Sequence, residues 1–252
     1  MTDKAIERID DLGQAELTEF FLEMVQRSWM HYGLWFHHAG LQVEPDRFPA
    51  AERRVFRAAM ANNLRRLGRV LGFAVDERGV PERVAAMDRS ELAAAVKALA
   101  VNWYAADGIW FQELEGLYDM DLAKRANDSV WARYAPYEAR QIRAFLGLGP
   151  DCGLAGLRAA LPLRSAGLLN TYRYEWEADG ALVLRVADCR IQEARRRRGL
   201  PDYPCKSAGL VEQGFFARAL DGRIATQCLA CPPDEHPAQW ACAWRFILED
   251  RA

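Results

Sequence analysis

Five cysteines in the last quarter of the chain are the residues best suited to chemistry: Cys189, Cys205, Cys228, Cys231 and Cys242. Cys228 and Cys231 form a Cys-x-x-C pair, whose spacing lets two thiolates reach one ion. Four thiolates can close a structural zinc or iron–sulfur site, whereas three can leave room for a metal-bound water. We therefore expect a metal site with Cys205, Cys228, Cys231 and Cys242 as ligands and zinc as the cofactor. An iron–sulfur cluster, or no metal at all, is the alternative.

Spacing alone does not fix the ligands, because the chain has one Cys-x-x-C pair rather than two. His236, between Cys231 and Cys242, is a further candidate. The same cysteines fit two other interpretations, in which one thiolate acts as a nucleophile or the thiols are buried and inert. Thiol catalysis and metal binding are both more typical of clustered cysteines in a reducing compartment than disulfides are.

Four consecutive arginines, Arg195 to Arg198, lie between Cys189 and Cys205. A guanidinium pairs with a carboxylate through two hydrogen bonds, so Arg195 and Arg196 are candidates for binding an anionic substrate. The simpler interpretation, which we favour at this stage, is a solvated helical face.

Residues 1–150 are predicted to be helical, because apolar side chains recur at steps of three and four residues. An offset of 75 residues aligns Leu34-Trp35-Phe36 with Ile109-Trp110-Phe111, and Leu71-Gly72-Phe73 with Leu146-Gly147-Leu148. We interpret this agreement as a duplicated helical hairpin, with copies at about 29–73 and 103–148. The two copies are expected to form a four-helix bundle. Pro136 is expected to kink or break the last helix.

Residues 151–252 have a different pattern. Tyr172, Tyr174 and Trp176 alternate with polar residues, and the alternation resumes at Leu182 after Asp179-Gly180. Two alternating runs joined by Asp-Gly predict a β-hairpin. Two helices and two further strands, 223–229 and 241–248, are predicted after it. The fold class is therefore α+β, with an N-terminal helical bundle at 1–150 and a small antiparallel cysteine-rich α+β domain at 151–252.

Composition argues against several classes of partner. The net charge is −2 and the isoelectric point is near 6.1, so no positive field favours nucleic acid. No apolar run is long enough to cross a bilayer, and the N-terminal residues lack the apolar core of a signal peptide. We expect a cytoplasmic protein whose partner is a small-molecule ligand, with self-association as an option.

Two regions resemble an uncharacterised family of bacterial and archaeal cytosolic proteins. The first region contains Asp107-Gly-Ile-Trp-Phe111 and Val130-Trp-Ala-Arg-Tyr-Ala-Pro-Tyr-Glu-Ala-Arg140. The second runs from Asp188-Cys-Arg-Ile-Gln-Glu-Ala-Arg195 through Cys228-Leu-Ala-Cys-Pro-Pro-Asp-Glu-His-Pro237 to Cys242-Ala-Trp-Arg-Phe246. The resemblance covers most of residues 103–248 and implies no established activity.

The C-terminal part is also distantly similar to the L-2-amino-thiazoline-4-carboxylic acid hydrolase-like family, at Cys189, Cys205 and Cys242. This resemblance implies a hydrolase that opens a cyclic C=N bond in a small, carboxylate-bearing substrate. The segment 228–236 departs from that family's pattern. In one interpretation, this segment provides a metal site in place of the family's catalytic site.

On the hydrolase hypothesis, either Cys189 or Cys205 is the nucleophile or a metal ligand. Arg195 or Arg196 would bind the carboxylate, and Asp188, Asp234 or His236 would transfer protons. The alternative hypothesis is a zinc or iron–sulfur module that binds a ligand or a partner without catalysis.

Overall fold

The computed structural model describes residues 6–44 and 47–249. The chain divides into two compact units, Met1–Ala85 and Ala86–Ala252. This division differs from the predicted boundary at residue 150. The helices between residues 86 and 145 belong to the same unit as the sheet, because they share its hydrophobic core.

The first unit is built on a helical hairpin. Its elements are a short 3-10 turn Ile9–Asp11, α1 Gln14–Gln42, α2 Phe48–Leu71 and α3 Glu82–Ala85. The two long helices are joined by a hydrogen bond in which the Tyr32 hydroxyl donates to Glu52 Oε1 at 3.0 Å. Gly72 ends α2 with a positive φ of 78°, a conformation that glycine adopts without steric cost.

The second unit begins with another helical hairpin, α4 Arg89–Leu117 and α5 Met120–Phe145. Asp88 caps α4 by accepting from Glu91 N at 2.8 Å, and Glu91 accepts from Asp88 N at 3.0 Å. The two helices are joined by Asn127 Nδ2, which donates to Asp107 Oδ1 at 3.4 Å. The α4 helix has 29 residues, as α1 does, and its first residue, 89, lies 75 positions after residue 14. This offset supports the predicted duplication.

Pro136 lies inside α5, which runs without interruption from Met120 to Phe145. The expected break is therefore absent from this helix. Ala135 and Ala139, on either side of the proline, are fully buried in the core. Tertiary packing of this face holds the helix together where proline removes one backbone hydrogen bond.

The rest of the second unit is an antiparallel sheet with helices against it. The elements are α6 Gly153–Ala160, a 3-10 turn Leu161–Leu163, β1 Thr171–Trp176, β2 Leu182–Asp188, α7 Arg190–Arg197, α8 Lys206–Leu220, β3 Ile224–Ala230 and β4 Cys242–Leu248. The strand order is β1-β2-β4-β3. The predicted hairpin is confirmed, because Gly180 has a φ of 83° and Gly180 N donates to Glu177 O at 2.9 Å. The predicted α+β class is likewise confirmed.

One hydrophobic core joins the sheet to α5 and α8. It contains Leu182, Leu184, Trp244 and Phe246 from the strands, Phe216, Ala217 and Leu220 from α8, and Trp131, Ala135 and Ala139 from α5. Because α8 is buried on one side by α5 and on another by the sheet, its two ends are held in position. The N-terminal end of α8 carries Cys205.

A buried ion cluster lies beside this core. Arg164, which has no exposed surface, places Nε 2.9 Å from Glu138 Oε2 of α5 and Nη2 2.9 Å from Glu212 Oε1 of α8. Arg164 Nη1 also donates to Gln213 Oε1 at 3.1 Å, and the guanidinium stacks on the Phe216 ring at 4.2 Å. The two carboxylates balance a charge that would otherwise be costly to bury.

Across residues 6–44 and 47–249, none of the helices combines enough length with enough apolar character to span a bilayer.

We predict that Gly209→Ala destabilises the protein, because Gly209 lets α8 approach Trp244 closely. A Cβ at position 209 would lie 2.6 Å from Trp244 Cζ2 and 2.9 Å from Cη2, so the free energy of unfolding should fall by about 1–3 kcal/mol in chemical denaturation. Gly214→Ala on the same helix is the matched control, since nothing lies within 4 Å of its Cβ. That variant should gain about 0.5–1 kcal/mol. Equal effects of the two substitutions would contradict the packing argument.

Candidate thiol site

Three cysteines from three separate elements meet at one end of α8. Cys205 is the N-cap residue of α8, Cys231 follows β3 and Cys242 begins β4. The Sγ atoms of Cys205 and Cys231 are 3.4 Å apart, and Cys242 lies near enough to Cys231 to raise its pKa. Each of the chain's six cysteines is a free thiol. Three of the predicted site residues are thus brought together.

A β-bulge in β3 gives the Cys-x-x-C pair its orientation. Cys228 pairs with Trp244 and Ala230 pairs with Ala243, so Leu229 is an extra residue on β3. In a regular strand, residues three apart point to opposite faces. The extra residue at the bulge reverses this alternation, so Cys228 and Cys231 point to the same face. Cys231 therefore lies on the face that α8 covers and is only 1% exposed.

The thiols open onto a cavity of about 540 Å³, a volume typical of sites for small molecules. Cys189, Cys205, Cys231 and Cys242 line it, whereas Cys228 does not. Aromatic residues from α4, α5 and the sheet form much of the wall, and its polar groups include Asp107, Gln112, Asn127, Asn170, Glu212, Arg190, Arg195 and Arg198. The cavity lies wholly within the second unit.

Cys205 and Cys231 differ in proton affinity. A hydrogen bond from the Cys231 thiol lowers the pKa of Cys205 below that of an ordinary thiol, against the opposing effect of burial. Gln192 Nε2, 3.6 Å from Cys205 Sγ, adds to this lowering. The same contact with Cys205 raises the pKa of Cys231 strongly, and Cys242 raises it further. Cys205 is thus the member of the pair that loses its proton first, and Cys231 is the thiol that donates to it.

Gln192 of α7 fixes the segment that leads into Cys205. Its side chain is buried, and its Nε2 donates to Tyr203 O at 2.9 Å while its Oε1 accepts from Tyr203 N at 2.8 Å. The same Nε2 faces Cys205 Sγ. This side chain thereby fixes the backbone before Cys205 and favours negative charge on the Cys205 sulfur.

Cys189 and Cys228 have a different character from Cys205. Burial raises the pKa of Cys189 to about 12 and that of Cys228 to about 11. Both side chains remain protonated near neutral pH, where only thiolates are effective nucleophiles. The predicted choice between Cys189 and Cys205 as nucleophile therefore favours Cys205.

Acidic groups and arginines line the same cavity. Burial raises the pKa of Asp107, so this carboxyl retains a proton to higher pH than an ordinary aspartate. Arg195 and Arg198 also border the cavity; Arg195 Nε donates to Pro201 O at 2.8 Å and Arg198 Nη1 to Gln112 Oε1 at 3.1 Å. These contacts position two guanidinium groups where an anion can enter.

Several predicted site residues lie away from the cavity. Arg196 and Asp188 are exposed and do not line it. His236 stacks on Trp240 with ring centroids 5.9 Å apart, and Asp234 pairs with Lys206 at 2.8 Å. Asp234 also accepts a hydrogen bond from Cys231 N at 3.3 Å. None of these four lines the cavity, whereas Asp107 does. Arg198, the C-cap residue of α7, lines the cavity together with Arg195, whereas Arg196 does not.

Three of the four cysteines in the predicted metal site line the cavity. Among the described side chains, no group of three or more histidine, cysteine, aspartate or glutamate residues is disposed to hold a metal ion. Cys205, Cys231 and Cys242 approach one another, but Cys228 stands outside the cavity that they line. Zinc at Cys205, Cys228, Cys231 and Cys242 stays a prediction.

Sequence comparison finds one family. The profile described as "Family of unknown function (DUF6125)" matches residues 85–248, a range that begins at the boundary between the two units and includes every residue of the cavity wall. No curated protein and no solved structure gives a significant match. The similarity to thiazoline hydrolases stays a prediction.

We predict that a small alkylating agent modifies Cys205 before Cys189 or Cys228 near neutral pH. The reason is that the pKa of Cys205 is lowered while those of Cys189 and Cys228 are raised to about 12 and about 11. Cys205 should become reactive as pH rises through a midpoint below that of a free thiol. Peptide mapping after timed iodoacetamide treatment measures the order, and earlier labelling of Cys189 would contradict the assignment.

We predict that Gln192→Glu slows alkylation of Cys205 by about tenfold at neutral pH, which corresponds to a pKa raised by roughly one unit. Glutamate keeps an acceptor for Tyr203 N but replaces the donor near the sulfur with negative charge. Glu193→Gln, one residue along α7, serves as the control and should leave the rate unchanged. An unaltered pH profile in the Gln192→Glu variant would exclude a positioning role.

Proposed function

Because this chain belongs to DUF6125, a family whose description assigns no activity, we propose its function from the site: a thiol-dependent hydrolase with Cys205 as nucleophile. Its substrate is a small, carboxylate-bearing molecule with an electrophilic C=N carbon, as in a thiazoline. The observation that carries the proposal is the 3.4 Å contact between Cys205 and Cys231 in the wall of a cavity of about 540 Å³.

The support for Cys205 comes from its position and its partners. It begins a helix of 15 residues, whose N-terminal dipole favours negative charge. The Cys231 thiol and the Gln192 amide both donate to its sulfur. A cysteine with donors, helix N-terminus and cavity access fits the requirements of covalent catalysis.

The charges of the cavity support an anionic substrate. Arg195 and Arg198 border it on one side, and a guanidinium binds a carboxylate through two parallel hydrogen bonds. Apolar and aromatic residues, including Phe111 and Trp131, form other parts of the wall. The cavity therefore suits a small molecule with one anionic end and an apolar or heterocyclic body.

The chemistry follows from these groups. The Cys205 thiolate adds to the C=N carbon, and the nitrogen takes the proton of Asp107 as the double bond opens. The ring carbon–sulfur bond then breaks, so that the ring sulfur leaves as a thiolate while the carbon stays bonded to Cys205 as an isothiourea cation. Water adds to this carbon and gives one proton to the Asp107 carboxylate. The carbon–sulfur bond to Cys205 then breaks as a C=O bond forms, and the remaining hydroxyl proton passes to the ring-derived thiolate. The product is the ring-opened, hydrated compound, and both the thiolate and the protonated carboxyl are restored.

A second candidate is a zinc-binding module. The convergence of Cys205, Cys231 and Cys242 supports it, because thiolates are preferred zinc ligands. In that case Cys228 or Cys189 would supply the fourth sulfur, and the site would stabilise the fold without catalysis.

We predict that the purified protein hydrolyses 2-amino-thiazoline-4-carboxylate and that Cys205→Ser lowers kcat/KM by about 10³-fold or more, since serine is a much weaker nucleophile. Arg198→Ala should raise KM about tenfold with little change in kcat, because it removes a contact to the carboxylate. Chromatography of substrate and product measures both effects.

Arg197→Ala is the matched control for the arginine variant, because Arg197 is exposed and does not line the cavity. Metal analysis of anaerobically purified protein separates the two candidates. One zinc per chain, released with loss of folding, would favour the zinc module. A metal-free, folded protein that keeps activity would exclude it, and full activity of Cys205→Ser would exclude the hydrolase.

A further inference from the structure

We propose that Cys205 and Cys231 form a reversible disulfide when a hydroperoxide reaches the cavity, and that this disulfide switches the site off. The proposal rests on the proposed function in one respect, namely that Cys205 is the reactive thiolate. It adds a role for Cys231, which the hydrolytic steps use only as a hydrogen-bond donor.

The geometry places the two sulfurs close to bonding range. They are 3.4 Å apart, whereas a disulfide bond is about 2.05 Å long. A shift of roughly 1.4 Å between them suffices, which is within the reach of side-chain rotation and small backbone adjustment. Cys205 ends the segment after α7, and Cys231 follows the bulge in β3.

The burial of the two thiols assigns their roles. Both residues line the cavity, but Cys231 is only 1% exposed, whereas Cys205 is half-buried. A small oxidant therefore meets Cys205 first. Cys231 is protonated and in contact with Cys205, so it is placed to react with an oxidised Cys205 but not with the oxidant itself.

The oxidation proceeds in two balanced steps. The Cys205 thiolate attacks one oxygen of the hydroperoxide, the O–O bond breaks, and the departing alkoxide takes a proton from water to leave an alcohol. Cys205 is now a sulfenic acid. The Cys231 sulfur then attacks the Cys205 sulfur, and the displaced hydroxide takes the Cys231 proton and leaves as water. A dithiol reductant returns both thiols by exchange.

The disulfide inactivates Cys205 and also protects it from further oxidation. A sulfenic acid without a neighbouring thiol is oxidised further to sulfinic acid, which is not restored by ordinary thiols. Cys242 also contacts Cys231, so it is the competing partner that an experiment must distinguish.

The test treats the reduced, full-length protein with one equivalent of hydrogen peroxide. The expected result is loss of two hydrogens in the intact mass and a fall in thiol count from six to four, both reversed by dithiothreitol. Trypsin combined with cleavage after Asp and Glu separates Cys205 and Cys242 from the peptide that carries Cys228 and Cys231. A crosslink between the Cys205 peptide and that peptide is expected.

Matched variants assign the partner. Cys228→Ser should still form the crosslink, and so should Cys242→Ser, whereas Cys231→Ser should gain oxygen at Cys205 instead. A wild-type protein that keeps six thiols, or that joins Cys242 to Cys231, would overturn the proposal. No substrate is used, so this result is separate from hydrolysis. Hydrolysis of the substrate without disulfide formation would contradict the switch but not the hydrolase. A disulfide without hydrolysis would contradict the hydrolase but not the switch.

Discussion

Arg164 has no exposed surface and lies between two carboxylates, Glu138 of α5 and Glu212 of α8. A buried charge that loses one partner costs about 3–5 kcal/mol, so this guanidinium binds α5, α8 and the segment before β1 into one unit. Glu212 also lines the cavity. The ion cluster that supports the fold therefore continues directly into the wall of the candidate site, and the position of α8 determines where Cys205 stands.

The cysteines of the site have the same side chain but different pKa values, and the site depends on this difference. At Cys205 the hydrogen bond from Cys231 lowers the pKa against the effect of burial, whereas at Cys189 burial raises the pKa by more than the backbone N–H groups of Gln192 and Ile191 lower it. The energy that lowers the pKa of one thiol is the energy that raises the pKa of its partner, since a single hydrogen bond links Cys205 and Cys231. A cluster of cysteines thus contains one thiol of lowered pKa beside others whose pKa values are raised.

Local sequence patterns predicted the helices and strands well where interactions between neighbouring residues determine the structure. Asp179-Gly180 specifies a tight turn, and the alternation around it specifies two strands, so the hairpin followed directly. The helical lengths and the 75-residue offset are also local signals. The domain boundary was different, because the contact of α5 with α8 and the sheet joins residues distant in sequence. The unbroken helix across Pro136 has the same origin.

The candidate site was only partly predictable for a similar reason. The Cys-x-x-C spacing suggested that Cys228 and Cys231 act as a pair, but Cys228 lies within β3 and does not line the cavity, whereas Cys231 follows the end of β3 and does. Gln192 carries no motif, and its importance appears only when α7 and Tyr203 are brought together. Arg198 could have been chosen over Arg196 from helical periodicity, because it is three residues from Arg195.

The two helical hairpins carry a hydrogen bond at equivalent positions. Tyr32 and Glu52 join α1 to α2, and the residues 75 positions later, Asp107 and Asn127, join α4 to α5. Both hairpins thus have a hydrogen bond between their two helices at the same position, but different side chains form it. In the second hairpin both bonded residues line the cavity, and one of them is the carboxylic acid Asp107, whose pKa is raised by burial. The same bridging position thus accommodates a tyrosine hydroxyl in one hairpin and a carboxyl group in the other, so an acid can stand beside the cavity while it still joins two helices.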